Sequence, residues 1–134
     1  MKNYFQLSEF LRSTKARALN LDNLPSFEVV DNLRALRDHV LNPLREEYGQ
    51  PIIITSGYRC ARLNAAVGGV ANSQHLLGQA ADIKAGRGGV DANRTLFALI
   101  QRLNLPFDQL ISEYNYSWIH VSYSPRHRRQ VLFR

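Results

Sequence analysis

In the stretch Ser73-Gln74-His75-Leu76-Leu77-Gly78-Gln79-Ala80-Ala81-Asp82, a histidine and an aspartate stand seven positions apart. Two side chains sharing one helix face need steps of three or four residues, so this segment is not a helix presenting both. It reads as a loop carrying His75 that runs into a strand carrying Asp82. Gly78 and the small Ala80 and Ala81 let the backbone turn closely between them. Ala80 to Lys84 is the predicted strand.

Downstream, Gly86, Gly88 and Gly89 mark a flexible loop, and Asp91 is placed to cap a helix whose Leu96, Phe97, Ile100 and Leu103 face inward. Gln109 to Tyr114 and Trp118 to Tyr123 read as two strands joined by a tight turn around Asn115 to Ser117. In the second, Trp118, His120 and Ser122 share one face, while Ile119 and Val121 point to the other. Upstream, Ser56-Gly57 is a turn, Arg59 to Ala66 is one or two helical turns, and Gly68-Gly69 is a breaker. The β-branched run of Pro51 to Thr55 reads as a buried strand. From Phe27 to Tyr48 the apolar positions Val29, Val30, Leu33, Leu36, Val40, Leu41 and Leu44 follow the steps of one helix face. Pro43 kinks or breaks that helix, and Gly49 stops it. A short helix around Ser8 to Ser13, capped by Ser8, precedes a loop ending at Leu24-Pro25. Helices, a strand, mixed elements and then a hairpin imply one α+β domain over residues 1–134, with a small, mainly antiparallel central sheet and helices packed on it.

The chain has 134 residues, 45% hydrophobic and 21% charged, with a net charge of +6. That length supports one real core, and no apolar stretch is long enough to span a bilayer. Met1 to Phe10 has no apolar run followed by a small-residue cleavage site, so no secretory signal peptide is predicted. The single cysteine, Cys60, excludes an intramolecular disulfide and a cysteine-based zinc knuckle. Any metal site must therefore use histidines and carboxylates. Much of the positive excess lies in Arg126, His127, Arg128, Arg129 and Arg134. It serves solubility or attraction to a polyanion, either nucleic acid or a wall rich in carboxylate and phosphate. No nucleic-acid-binding motif accompanies it, so no nucleic-acid partner is expected.

Two imidazoles and one carboxylate, from His75, Asp82 and His120, form a sensible catalytic zinc set with a fourth position left for water. Spacing alone leaves open a hydrogen-bonded structural role for His120. His39, in the long helix, and His127, in the basic tail, read as non-ligands.

Three ordered motifs narrow this. Ser73 to Asp82 fits Ser-x-His-x-x-Gly-x-Ala-x-Asp, Trp118 to His120 fits Trp-x-His, and Ser56-Gly57-Tyr58-Arg59 fits an upstream element. Together the chain resembles the zinc D-alanyl-D-alanine carboxypeptidase family, especially its short phage and bacterial members. The likeness extends to Tyr4-Phe5 and Asn42-Pro43-Leu44-Arg45. The resemblance implies a small α+β fold and a zinc peptidase cleaving D-amino-acid-containing peptides of peptidoglycan through attack by zinc-bound water. It implies His75, Asp82 and His120 as zinc ligands, Arg59 as a binder of substrate carboxylate and Ser73 as a hydrogen-bond partner of the substrate backbone. Many relatives carry an acid three positions before the final histidine, but Ser117 stands there in this chain. Glu113, at the end of the preceding strand, is the expected general base, with Asp108 a distant second. Trp118 either walls the substrate cleft or fills core, whereas Tyr114, Tyr116 and Tyr123 are left to packing or surface. A monomer is expected, made in the cytoplasm and acting at the bacterial cell wall or as part of a phage product. The competing expectation is a non-catalytic zinc-containing module that binds the cell wall or serves in a phage particle.

Overall fold

The computed structural model describes residues 2–134. In chain order the elements are α1 (Leu7–Leu11), α2 (Thr14–Ala18), α3 (Phe27–Leu36), a π-helical turn (Arg37–Leu41), α4 (Asn42–Tyr48), β1 (Ile52–Ser56), α5 (Ala61–Ala66), a 3-10 turn (Gln74–Leu77), β2 (Ala80–Ala85), α6 (Gly89–Arg102), β3 (Gln109–Glu113), β4 (Trp118–Ser122) and β5 (Gln130–Phe133). The strands form one sheet in the order β1-β2-β4-β3-β5. Every neighbouring pair is antiparallel except β3 and β5, which run parallel. The α+β expectation holds.

The π turn has a chemical cause. Pro43 has no N–H to give the helix and its ring crowds the carbonyl four residues back. The helix widens just upstream, where Asn42 N–H reaches Arg37 O, five residues back. The apolar stripe thereby stays continuous, and Leu33, Leu36, Val40, Leu41 and Leu44 are all completely buried. Gly49 ends α4 in the left-handed conformation, as the sequence suggests.

Strand pleating sorts the sheet into two faces. Ile52 and Ile54 of β1, Ala81 and Ile83 of β2, Leu110 of β3, and Ile119 and Val121 of β4 join the buried core with the helical side chains. Each fully buried aliphatic chain contributes about 1.5–3 kcal/mol, so this face holds the fold together. The opposite face carries Asp82, His120, Ile111 and Glu113, and its polar residues are thus free of packing duty.

Several local expectations need correction. Gln6, not Ser8, precedes α1, and its N–H donates to the Glu9 carboxylate at 2.7 Å. The segment read as loop contains α2, capped by Ser13, whose hydroxyl accepts from Ala16 N–H. Gly88 precedes α6, leaving Asp91 inside its first turn. Ile53 is 40% exposed, because strand alternation points it away from the core that Ile52 and Ile54 join. Sequence reading also missed β5.

The tail is held by Asp108, which is completely buried. Its carboxylate accepts from Arg128 N–H (2.9 Å), Arg128 Nε (3.0 Å), Arg128 Nη2 (2.9 Å) and Gln74 Nε2 (2.9 Å). Its carbonyl accepts from Gln130 N–H at 2.9 Å. The chain thus crosses the start of β3 and turns back beside it as β5. Burial works to raise the Asp108 pKa, but the hydrogen bonds from Arg128 and Gln74 prevail and hold it well below the carboxylate range. A carboxylate so occupied is unsuited to general-base work, which removes Asp108 as a candidate. Asp108→Asn should cost about 2 kcal/mol, a figure lowered from that of a fully buried pair because Arg128 is partly exposed. A folded-state pKa below the unfolded value makes this stabilisation complete above about pH 4 and lost as the pH falls further. Urea titrations at pH 7 and pH 3 should therefore show a larger wild-type advantage at pH 7.

Candidate metal centre

The centre is assembled from three places. His75 lies in the 3-10 turn, whose first N–H groups are capped by Ser73: the Ser73 hydroxyl oxygen accepts from His75 N–H at 3.1 Å. Gly78 closes the turn at φ +72°, and a Cβ there would stand 2.7 Å from Val29 O, so glycine is required on both counts. Asp82 comes from β2 and His120 from β4, directly opposite one another in the antiparallel register. The turn and the sheet bring one ligating atom from each of His75, Asp82 and His120 within 4.8 Å of one another.

Protonation decides what this cluster is suited to hold. The His75 ring is buried, and its Nδ1 lies 2.6 Å from Gly57 O. A carbonyl only accepts, so Nδ1 carries the hydrogen, and the tautomer this selects presents a lone pair at Nε2. That Nε2 is buried, has no hydrogen-bond partner and lies 3.3 Å from Asp82 Oδ1. His120 Nδ1 lies 3.2 Å from the same oxygen. With His120 Nδ1 also unprotonated, lone pairs converge at a distance that calls for a cation between them. Two nitrogens and one carboxylate are a donor set of catalytic zinc sites, and the carbonyl behind His75 is the outer partner such ligands require. Burial works to raise the Asp82 pKa, but where the imidazoles instead bear the proton between them and Asp82, their hydrogen bonds and charge outweigh it and hold the group well below the usual range.

The Ser56-Gly57-Tyr58-Arg59 segment supports the site from behind. A Cβ on Gly57 would stand 2.4 Å from Phe10 O, so the backbone approaches α1 as only glycine can. Tyr58 N–H donates to Phe10 O at 2.8 Å and Arg59 N–H donates to His75 O at 3.1 Å. Gly57 is the functional residue that sequence reasoning passed over as a turn former. Its position inside a motif was the available signal.

A cleft of about 510 Å³ opens over the cluster, lined among others by Arg59, Ser73, Glu113 and Trp118. All the sequence-predicted site residues therefore meet there. Arg59 Nε is buried without a partner. Burial lowers the guanidinium pKa, while the Asp82 and Glu113 charges push back. Glu113 stands beside Trp118 across the hairpin. Among the described residues its carboxylate has no hydrogen-bond or ion-pair partner. The turn after it is left-handed at Tyr114, Asn115 and Tyr116. Buried Asn93 of α6 braces it by donating to Tyr116 O (2.9 Å) and Ser117 O (3.2 Å). Ser117 spends its hydroxyl on Tyr114 O at 2.7 Å, so position 117 is a turn-closing position here. Trp118 packs on Tyr114 with ring centres 5.1 Å apart. His39 and His127 are outside the cluster and both contact Tyr123: His39 stacks on it at 4.8 Å, and His127 meets it edge-on at 5.2 Å.

Residues 3–122 match the model of the peptidase M15 family, and the chain belongs to that family. A stretch of 50 residues, 37% of this chain, is 42% identical to the zinc D-Ala-D-Ala carboxypeptidase of Streptomyces albus G and spans 20% of that protein's length. The match to the family ends before the basic tail and β5.

Gly57→Ala should force α1 and the Gly57 carbonyl apart and release the His75 ring. Zinc affinity, measured by competition with a chromogenic chelator, should fall by about 10- to 100-fold. Exposed Gly68, whose surroundings are open, is a poor control because its φ is +75°. Ala65→Ser on the exposed side of α5 is the suitable one, and it should leave affinity unchanged.

Proposed function

We propose that this chain is a zinc peptidase that hydrolyses peptide bonds in the D-amino-acid-containing stem peptides of bacterial peptidoglycan. The observation that carries this reading is the buried, partnerless Nε2 of His75 facing Asp82 and His120 in a cleft shared with Glu113 and Arg59. His75, Asp82 and His120 hold the zinc. When bound, zinc supplies Lewis acidity, polarising the scissile carbonyl and making water a nucleophile near neutral pH.

The remaining chemistry belongs to the chain. Glu113 is the base: its unpaired carboxylate oxygen takes the proton of the attacking water and returns it to the leaving amine nitrogen. Arg59 presents a planar pair of donors to a substrate carboxylate and so fixes which bond reaches Glu113. The Ser73 oxygen is occupied by His75 N–H, which leaves its O–H to donate to the substrate backbone. Trp118 walls the cleft. A second cleft of about 430 Å³ shares Arg59, Asp82 and Trp118 with the first and runs on towards Arg12 and Lys15. That continuation supports substrates extending on both sides of the scissile bond, hence endopeptidase action beside removal of a terminal residue. The place of action in this reading is the cell wall, reached as a bacterial or a phage product.

A non-catalytic zinc module is the second reading, motivated by Ser117 standing where many relatives carry an acid. Glu113→Gln separates the two. We expect kcat on a D-Ala-D-Ala peptide or on isolated peptidoglycan to fall by about 10²- to 10⁴-fold with zinc content unchanged. If zinc-loaded wild type releases no product from either substrate, the peptidase reading fails and the module remains.

A further inference from the structure

The basic tail is not one undivided charge cloud. Arg128 is consumed by Asp108. Arg129 donates to Leu105 O and lies over the Phe107 ring at 4.7 Å. His127 meets Tyr123 edge-on. That leaves Arg126 and Arg134, whose guanidinium groups have no hydrogen-bond or ion-pair partner among the described residues. Both line the cleft over the candidate metal centre.

Sheet register fixes where one of them stands. Asp82 is opposite His120, His120 opposite Ile111, and Ile111 level with Leu132 of β5. Arg134 N–H continues that ladder to Ser112 O at 2.8 Å. By strand alternation Arg134 is therefore level with Glu113 and on the same face. Across this face the order runs from metal cluster to general base to Arg134. Arg59 follows β1, at the other edge of the sheet. The cleft thus has a free cation towards each edge, with the reacting groups between. Its side-chain carboxylates are Asp82, committed to the imidazoles, and Glu113. A divalent ion at the cluster would add to the positive excess. A neutral peptide backbone would leave that excess unanswered.

We infer that Arg134 forms an anionic subsite that binds a second carboxylate of the substrate, on the far side of Glu113 from the metal cluster, with Arg126 adding to the positive field of the same cleft. The preferred substrate is then a dianionic peptide, with one carboxylate at Arg59 and one at the tail. This rests on the peptidase reading for its substrate class but not for its binding preference. It concerns residues beyond the stretch matched by the family.

The test uses the full zinc-loaded chain and two pentapeptides ending in D-Ala-D-Ala, one with an interior side-chain carboxylate and one with the carboxamide in its place. Binding is measured by calorimetry and cleavage by product release. A charge-assisted contact to Arg134 should favour the acid by about tenfold in Kd at low salt, with the preference shrinking as salt rises. In Arg126→Gln/Arg134→Gln the preference should fall to about twofold or less, chiefly through KM where cleavage occurs. Both side chains are exposed and unengaged, so this variant should keep the wild-type melting temperature. The charge-reversed pair, Arg126→Glu/Arg134→Glu, should favour the amide. If neither peptide is cleaved but the binding preference and its loss are seen, the peptidase reading fails and the subsite stands. If both peptides are bound and cleaved equally by wild type, the subsite is overturned while the peptidase reading stands. Equal peptide binding together with tight binding of a duplex oligonucleotide that the double glutamine variant loses would assign the arginines to nucleic acid, and would equally overturn the proposal.

Discussion

The fixed orientation of one imidazole underlies the whole arrangement. His75 can present a lone pair to the cluster it forms with Asp82 and His120 only because its other nitrogen is spoken for by the Gly57 carbonyl. That carbonyl is where it is because Gly57 lies against the backbone of Phe10, a core residue that is 1% exposed. A line of short contacts therefore runs from the hydrophobic core to the metal cluster without passing through a flexible side chain. The same segment takes up His75 O through Arg59 N–H, so ring and backbone of the ligand residue are set by one loop. A ligand oriented in this way loses little conformational freedom when an ion arrives, which is how an outer partner raises metal affinity.

The sheet supplies the second half of the arrangement through its period of two. Ile119 and Val121 are completely buried in the core, while His120 between them faces the cleft. Ala81 and Ile83 do the same for Asp82. Each site residue is thus flanked by neighbours whose burial, about 1.5–3 kcal/mol for each large aliphatic chain, fixes the strand that bears it. A register slip of one residue would exchange the two sets. The cost of burying Asp82 and His120 while exposing their apolar neighbours is what makes that slip inaccessible.

This division explains what was legible in the sequence. Ile52 to Ile54, the Gln109–Tyr114 and Trp118–Tyr123 segments and the helical stripe from Val29 to Leu44 are decided by patterns of a few residues, and the structure contains them. His75, Asp82 and His120 were legible as residue types in ordered motifs, but their convergence was not. It depends on the pairing of Asp82 with His120, 38 positions apart, a tertiary fact. The π turn was hidden because Pro43 signals a disruption without specifying its form. β5 was hidden because Gln130 to Phe133 is short and follows a basic run. Its strand character comes from Asp108, which captures Arg128 from 20 residues away. Ser8 and Asp91 misled for one reason: a residue that can cap competes with neighbours that can also cap, and the surrounding packing chooses. The Glu9 carboxylate chose Gln6, and the glycine pair chose the start of α6.

Asp108 and Glu113 show how one strand separates structural from chemical acids. Both flank β3, and sequence alone admits either as a base. Asp108 is wholly buried and its carboxylate receives four donors, so a proton taken there would have to displace a hydrogen bond that holds the tail. Glu113 lies on the cleft face with its oxygens unclaimed, so taking a proton disturbs nothing that the fold depends on. The tail repeats the same partition in cations. Arg128 and Arg129 are engaged by the fold, whereas Arg126 and Arg134 are left to the cleft. Asp108, by holding Arg128 and accepting from Gln130 N–H, sends the chain along β3 as β5 and so sets Arg134 level with Glu113. A buried carboxylate that does no chemistry thereby determines the charge that the chemical carboxylate faces.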